Sequence, residues 1–155
     1  MNDANTPPMI LTGGCQCGAV RYRFDAVPSG THLCHCRMCQ KASGGPFAAA
    51  VLTSSFTVTR GKLSVFKSSE IAERGFCARC GTPITYRSLP GSFVTVTLGS
   101  LDNPNAVVPV TQYGTESRVS WLASAMATPE TALSDWFTRK GIASVGSHQH
   151  PDHET

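Results

Sequence analysis

Seven cysteines are the residues of this 155-residue chain whose type and spacing could do chemistry. Three stand close together and four form two pairs. They are Cys34, Cys36 and Cys39 in the stretch LCHCRMCQKASGGPF, the pair Cys15 and Cys17, and the pair Cys77 and Cys80. Thiolates at such spacing are typical ligands of zinc. An odd count favours metal binding over disulfides, which are rare in a reducing compartment.

The two pairs predict a closed structural zinc site. Cys77-Ala-Arg-Cys80-Gly81 has the spacing of a zinc knuckle, because two intervening residues let both sulfurs converge on one ion. Cys15-Gln16-Cys17-Gly18 is a tighter version of the same turn. Each pair supplies half of a tetrahedral ligand set, so two pairs from distant segments would join the start of the domain to its middle.

The three remaining cysteines predict a second, open zinc site. Cys34, Cys36 and Cys39 can reach one ion, but no fourth cysteine is left. Three protein ligands and one open position are the arrangement of catalytic zinc. A thiol that binds such an ion loses its proton, and a thiolate is the nucleophile in sulfur chemistry. The arrangement therefore suits a thiol substrate.

Other interpretations of the cysteines remain open at this point. The second site could be a closed structural one, with His32 as the better placed fourth ligand and His35 expected to point away from the sulfurs. An iron–sulfur cluster also uses cysteine thiolates. Counting alone also permits a different division, such as Cys15 and Cys17 with the middle cluster, or ordinary buried cysteines.

The composition and the apolar pattern predict a mainly β protein. Charged residues make up 15% of the chain, and Val, Thr, Ser, Gly and Phe are frequent. Strands are expected at 19–24 and 46–53, as a hairpin over 55–68 around Arg60-Gly61, on both sides of the turn Pro90-Gly91, and near 107–113. The helix signal is confined to about 128–140, where Thr128 could cap, Pro129 suits the first helical position and Gly141 would end the helix.

These elements suggest one zinc-binding β domain over 11–122, an extension with a helix over 123–141, and a disordered tail over 142–155, after a loose lead-in at residues 1–10. The N-terminal residues lack the pattern of a signal peptide, and no apolar run reaches the roughly 18 residues of a membrane span. A cytoplasmic protein is expected, with no membrane partner. The net charge of +3 and the lack of a basic run make nucleic acid an unlikely partner.

At the cysteines the chain resembles the glutathione-dependent formaldehyde-activating enzyme family, which includes centromere protein V. The similar segments are GGCQCGAVRY, CHCRMCQKASGGPF, FCARCGTPITYR and, later, TQYGTESRVSWL. The resemblance implies stacked antiparallel β-sheets, sometimes called a β-tent. It implies a structural zinc on Cys15, Cys17, Cys77 and Cys80, and a catalytic zinc on Cys34, Cys36 and Cys39. The implied reaction joins glutathione and formaldehyde, and its reverse is carbon–sulfur lyase chemistry.

Some residues depart from the family pattern or suggest a substrate pocket. Many members carry a histidine near the place of Gln112, and residues 123–155 match no known segment. Arg37 and Lys41 are expected to contact the carboxylates of glutathione, with exposed surface charge as the alternative. Gly44-Gly45 would let a ligand approach or simply form a turn, and Trp121 is expected in the core.

Two functions from other classes compete with the enzyme. The chain could be a non-enzymatic zinc module that binds a macromolecule, as the chromosomal relative suggests, or a redox-responsive protein with an exposed thiolate cluster. The number of protein ligands at the second metal distinguishes the enzyme from these hypotheses, because an open position favours the enzyme and a histidine favours a structural site.

Overall fold

Eight strands and three short α-helices form most of the regular structure over residues 9–153, the part of the chain that the computed structural model describes. The strands are β1 (Met9–Gly14), β2 (Arg21–Cys34), β3 (Ala48–Arg60), β4 (Ser64–Ser69), β5 (Ala72–Phe76), β6 (Pro83–Ser88), β7 (Val94–Thr97) and β8 (Thr111–Tyr113). The helices are α1 (Arg37–Ser43), α2 (Leu122–Ala125) and α3 (Leu133–Arg139). The mainly β class is confirmed, and no helix in this range is long and apolar enough to span a bilayer.

The strands form one continuous sheet in the order β1-β2-β3-β7-β6-β5-β4, with all neighbours antiparallel. β8 runs parallel to the last residues of β2 and pairs with them. The register of β2 against β3 shifts at three places, and such bulges bend and twist a strand. The antiparallel sheet is as predicted, whereas the β-tent description stays a prediction.

The core lies on one face of the middle strands and extends to the two cysteine pairs, Cys15/Cys17 and Cys77/Cys80. Tyr22, Phe24, Val51, Ile84 and Val96 are almost fully buried there. Their cluster also contains two cysteines from the predicted knuckles, Cys15 and Cys77, which are 3% and 1% exposed. The apolar core and the four-cysteine group are therefore one packed unit.

The predicted hairpin around Arg60-Gly61 is wrong. β3 pairs with β2 and β7, and β4 pairs with β5, so β3 and β4 are not neighbours. Gly61 has a φ of +69°, and a Cβ there would lie 2.0 Å from the carbonyl oxygen of Ala19. The turn therefore leads the chain past that segment instead of back along β3. The Pro90-Gly91 turn does join the antiparallel neighbours β6 and β7, as predicted.

The helix prediction holds in part. α3 begins at Leu133, later than the expected start near Thr128, whose hydroxyl instead donates to the carbonyl of Ala125 at the end of α2. Confining the helix signal to the C-terminal part was wrong, because α1 lies within the three-cysteine segment. The expectation that Trp121 is in the core was also wrong, since it is 53% exposed.

The C-terminal tail has no helix or strand from residue 142 to 153, yet it touches the first cysteine pair. The backbone N–H of His150 donates to the carbonyl of Gln16 at 2.8 Å. The last residues of the expected disordered tail, 154–155, and most of the expected lead-in lie outside the described residues. The domain boundaries at 122 and 141 stay predictions.

A buried ion pair connects β2 to the segment after β7. The guanidinium of Arg21 donates to both carboxylate oxygens of Asp102, at 2.8 Å and 2.6 Å, and the Thr12 hydroxyl donates to the same carboxylate. Burial raises the pKa of Asp102, but the hydrogen bonds from Arg21 and Thr12 outweigh it and hold that pKa below its ordinary value. The fold is thus stabilised by the ionised form of Asp102.

We expect Asp102→Asn to lower the stability by about 3 kcal/mol near pH 7, because Arg21 would stay buried without its counter-charge. Because the pKa of Asp102 is lower in the folded state than in the unfolded state, its ionised carboxylate stabilises the fold at pH values above the unfolded pKa of about 3.9. This stabilisation is lost as the pH falls through the pKa of the folded state. The difference between wild type and variant should therefore shrink below about pH 4. Denaturant unfolding between pH 3 and 7 measures this difference.

The matched control is Asp135→Asn, which makes the same change on the exposed side of α3. Its unfolding curve should match that of wild type at each pH. Equal stability of Asp102→Asn and wild type at pH 7 would contradict a stabilising role for this ion pair.

Candidate metal centres and the cavity beside them

The four cysteines of the two pairs converge on one point. The Sγ atoms of Cys15, Cys17, Cys77 and Cys80 all lie within 4.8 Å of one another. Cys17 Sγ is 3.6 Å from Cys15 Sγ and 3.9 Å from Cys77 Sγ. Four sulfurs at about 2.3 Å from a tetrahedral zinc would lie about 3.8 Å apart. The group could therefore hold a metal ion, and its geometry fits zinc.

Both knuckles depend on a glycine in the left-handed region. Gly18 has a φ of +73° and Gly81 a φ of +79°, each directly after the second cysteine of its pair. The N–H of Gly81 donates to the carbonyl of Cys77 at 2.8 Å, which closes the turn that brings both sulfurs to one side. A side chain at either glycine would strain this backbone.

Hydrogen bonds to sulfur differ between the ligands of this group. The N–H of Val20 donates to Cys15 Sγ at 3.2 Å, yet burial dominates and raises the pKa of Cys15 to about 11. Burial also raises the pKa of Cys80, but hydrogen bonds from Thr82 and from backbone N–H groups outweigh it and lower that pKa to about 6. Cys80 is thus stabilised as a thiolate, the form in which a cysteine binds a metal.

Thr82 connects the two knuckles through its hydroxyl group. Its Oγ1 accepts from the N–H of Gln16 at 3.0 Å, so its own proton can point to Cys80 Sγ at 3.2 Å. Groups that hydrogen-bond metal ligands typically change metal affinity roughly 10- to 100-fold when removed. We therefore expect Thr82→Val to lower the metal affinity of the four-cysteine group by about that factor, as measured by competition with a chelator.

Thr59→Val is the matched control for this test, because Thr59 is an exposed residue on β3. Its metal affinity should equal that of wild type. Unchanged affinity in Thr82→Val would mean that the Thr82 hydroxyl does not support the metal ligands.

The three other cysteines form a second group. The Sγ atoms of Cys34, Cys36 and Cys39 lie within 4.8 Å of one another, and Cys34 Sγ is 3.5 Å from Cys36 Sγ. Cys34 ends β2, Cys36 precedes α1, and Cys39 lies in the first turn of α1. Within the described part of the chain, no histidine joins this group. The group could hold a metal through three sulfurs.

Neither nearby histidine occupies the place of a fourth ligand. The buried His35 is held through Nε2, 2.9 Å from Gln112 Oε1, an oxygen that also accepts from the guanidinium of Arg118. The Nδ1 of His32 donates to the carbonyl of Gly30 at 2.9 Å. Gln112 thus positions His35 and with it the cysteine loop.

Two further residues hold this loop in place, and the sequence did not reveal them. The buried side-chain amide of Gln40 donates to the carbonyls of His35, at 2.6 Å, and Ser117, at 2.9 Å. Gly114, with a φ of +63°, passes so close to Cys36 that a Cβ would lie 2.8 Å from its backbone nitrogen. These contacts link α1 to the segment after β8.

The thiols of the second group differ in acidity. Burial raises the pKa of Cys34 to about 12. Burial also raises the pKa of Cys36, but the backbone N–H of Cys39 and the neighbouring thiols outweigh it, so that pKa is lowered. Cys36 therefore ionises more readily than an ordinary thiol, and more readily than Cys34.

The second group borders a cavity of about 820 Å³ on the sheet. Strand register places a row of side chains across its floor: Leu52 pairs with Thr95, Thr95 with Tyr86, Tyr86 with Arg74 and Arg74 with Phe66. All five line the cavity, together with Cys34, Cys36 and Cys39. A ligand in this cavity would reach the three sulfurs.

Arg74 is the cation that the structure places beside these sulfurs. Its NH2 group lies 3.5 Å from Cys39 Sγ, and its guanidinium stands over the ring of Tyr86, 5.2 Å from the centroid. The predicted cations Arg37 and Lys41 are exposed on α1 and do not line the cavity. No local pattern in the sequence marked Arg74, because its place follows from the pairing of β5 with β4 and β6.

A family model described as glutathione-dependent formaldehyde-activating enzyme matches residues 10–117. The chain therefore belongs to this family, as the cysteine segments indicated.

Two curated relatives and one solved structure are similar to this chain. A Halomonas elongata protein, provisionally named a glutathione-dependent formaldehyde-activating enzyme, is 33% identical in an alignment of 86 residues that covers 49% of this chain. A Schizosaccharomyces pombe protein named as an uncharacterised lyase is 31% identical over 75 residues, or 48% of this chain. The chain spans 55% of the length of each of these relatives. A crystal structure of a Rhodobacter sphaeroides protein is 24% identical to this chain and superposes with a TM-score of 0.52. The match covers 66% of this chain and 99% of the other, and it supports the fold.

Proposed function

We propose that this chain is a zinc-dependent enzyme of the carbon–sulfur lyase type that joins a glutathione-like thiol and a small aldehyde, forming an adduct of the S-hydroxymethylglutathione kind. The observation that carries the proposal is the group of Cys34, Cys36 and Cys39, which has three sulfurs and, among residues 9–153, no histidine, and which opens on a cavity. Three ligands and an open position are the arrangement of catalytic zinc, whereas a histidine would favour a structural site.

The reaction is an addition without any change in oxidation state. The thiol gives its proton to solvent, its sulfur forms a bond to the carbonyl carbon, and the carbonyl oxygen becomes an alkoxide that takes a proton from solvent. Zinc at the three-cysteine group would supply the positive charge that makes the thiol acidic. Arg74, 3.5 Å from Cys39 Sγ, adds a fixed positive charge near the point where negative charge develops. The reverse reaction breaks the carbon–sulfur bond.

The four-cysteine group has a different role in this proposal. Its members lie in or against the apolar core, and Cys77 connects β5 to the turn before β6. A zinc on four thiolates has no open position and stabilises the fold.

Exchange spectroscopy of a mixture of glutathione and 13C-formaldehyde tests the reaction. The zinc-loaded chain should raise the rate at which the adduct and its two components interconvert, above the spontaneous rate in the same buffer. The folded chain from which only the metal of the three-cysteine group has been removed is the control, and it should leave the spontaneous rate unchanged. Identical exchange rates with the loaded chain and without protein, for both glutathione and 2-mercaptoethanol, would exclude the proposed enzyme.

A further inference from the structure

The cavity beside the three-cysteine group is mainly apolar. Alanines at positions 42, 48, 50 and 72 line it, together with larger groups such as Leu52, Phe66 and Phe93. Phe66 and Phe93 remain 62% and 42% exposed, so their rings offer apolar surface at the cavity to a ligand. Among the described lining residues there is no aspartate, glutamate or lysine, and Arg74 is the only arginine.

The lining has a charged partner for only one of the three charged groups of glutathione. The tripeptide carries two carboxylates and one ammonium group, and each charge that enters an apolar site without a partner is strongly unfavourable. Arg74 can pair with one carboxylate. No acidic side chain of the described residues lines the cavity to receive the ammonium group, and Arg37 and Lys41 lie outside it.

A thiol with an apolar body would use the same surface well. The floor row of Leu52, Tyr86 and Phe66 offers aromatic and aliphatic contacts, and about 820 Å³ exceeds what a small aldehyde needs. Burying an aromatic ring is worth roughly 10- to 100-fold in affinity. Arg74 stands in this row beside Tyr86 and Phe66, and its NH2 group, 3.5 Å from Cys39 Sγ, places one positive charge close to the sulfur end of the ligand.

We propose that the thiol substrate of this site has an aromatic or branched aliphatic body and a single carboxylate close to its sulfur, and that glutathione is a weaker ligand. The apolar body lies on the sheet row from Leu52 to Phe66, and Arg74 binds the carboxylate. This inference rests on the proposed function, because it requires that a thiol binds at the three-cysteine group.

The test is calorimetric titration of the zinc-loaded chain with four thiols. They are 3-phenyl-2-sulfanylpropanoate, 2-phenylethanethiol, glutathione and 2-mercaptoethanol. The aromatic acid should bind roughly 10- to 100-fold more tightly than glutathione. It should bind about tenfold more tightly than 2-phenylethanethiol, because a charge-assisted hydrogen bond is lost without the carboxylate. Arg74→Gln should remove this second difference, and Arg74→Lys should restore part of it.

Phe66→Ser and Val65→Ser form a matched pair for the apolar contact. Both residues are exposed on β4, at 62% and 60%, but Phe66 lines the cavity and Val65 does not. Phe66→Ser should weaken both aromatic thiols at least about fivefold and leave 2-mercaptoethanol unchanged, whereas Val65→Ser should change none of them.

Glutathione binding as tightly as the aromatic acid would overturn the inference and leave the proposed function intact. Equal losses of affinity for the aromatic thiols in Phe66→Ser and Val65→Ser would also overturn the inference. Failure of all four thiols to bind, 2-mercaptoethanol included, would overturn the proposed function and the inference together.

Discussion

A chain with Cys77→Ser is expected to lose its cooperative fold. Cys77 is 1% exposed, its sulfur lies 3.9 Å from Cys17 Sγ, and its side chain packs in the same cluster as Ile84 and Val96. A structural zinc contributes roughly 10 kcal/mol or more of apparent binding free energy, which is comparable with the total stability of about 5–15 kcal/mol of a domain. Cys15→Ser should have the same effect, because it removes another ligand of the same group.

Thermal unfolding followed by circular dichroism, with metal analysis of the purified protein, measures this effect. Cys36→Ser makes the same chemical change in the other group and serves as the control that should stay folded. A Cys77→Ser chain with the melting temperature and metal content of wild type would contradict the four-thiolate site.

The division of the seven cysteines could be predicted because ligand geometry is local. Two ligands separated by one or two residues can meet only where the chain turns sharply, and Gly18 and Gly81 mark those turns in the sequence. The left-handed φ of both glycines in the structure agrees with this interpretation. Counting alone left other divisions of the seven cysteines open, and the structure groups them as the two pairs together and the other three apart.

The cavity could not be predicted, because it depends on strand order. Its floor joins Phe66 on β4 to Leu52 on β3, and three other strands lie between them in the sheet. The local pattern around Gly61 predicted instead that β3 and β4 were neighbours. Without the true order, nothing in the sequence brings Arg74 next to Cys39, whereas Arg37 and Lys41 adjoin the cysteines along the chain.

Strands β5 and β6, which form part of the cavity floor, connect the two cysteine groups. β5 carries Arg74 and ends at Phe76, directly before Cys77, and β6 begins at Pro83, shortly after Cys80. Gly81, from the same knuckle, lines the cavity. A metal held by the four-cysteine group would therefore fix the turn between two strands of the cavity, so that a stable fold and a correctly placed Arg74 would depend on the same four cysteines.

A chain with Cys36→Ser should remain folded but lose the weaker metal equivalent and its thiol binding. The four-cysteine group and the core are untouched, and serine is a favoured residue at the N-cap of a helix, the position that Cys36 holds before α1. A hydroxyl is a poor zinc ligand beside thiolates, and two remaining sulfurs bind a metal weakly. Titration of glutathione and 2-mercaptoethanol by calorimetry, with metal analysis, compares the variant with wild type.

Chelation of the wild-type chain gives an independent measure of the same difference. A mild chelator should remove the first metal equivalent without unfolding and should abolish thiol binding at that point, because three ligands hold an ion less tightly than four. Removal of the second equivalent should coincide with the loss of the circular dichroism signal. If Cys36→Ser bound thiols as tightly as wild type, the thiol would not use this metal, and the module that binds a macromolecule would become the better explanation of the chain.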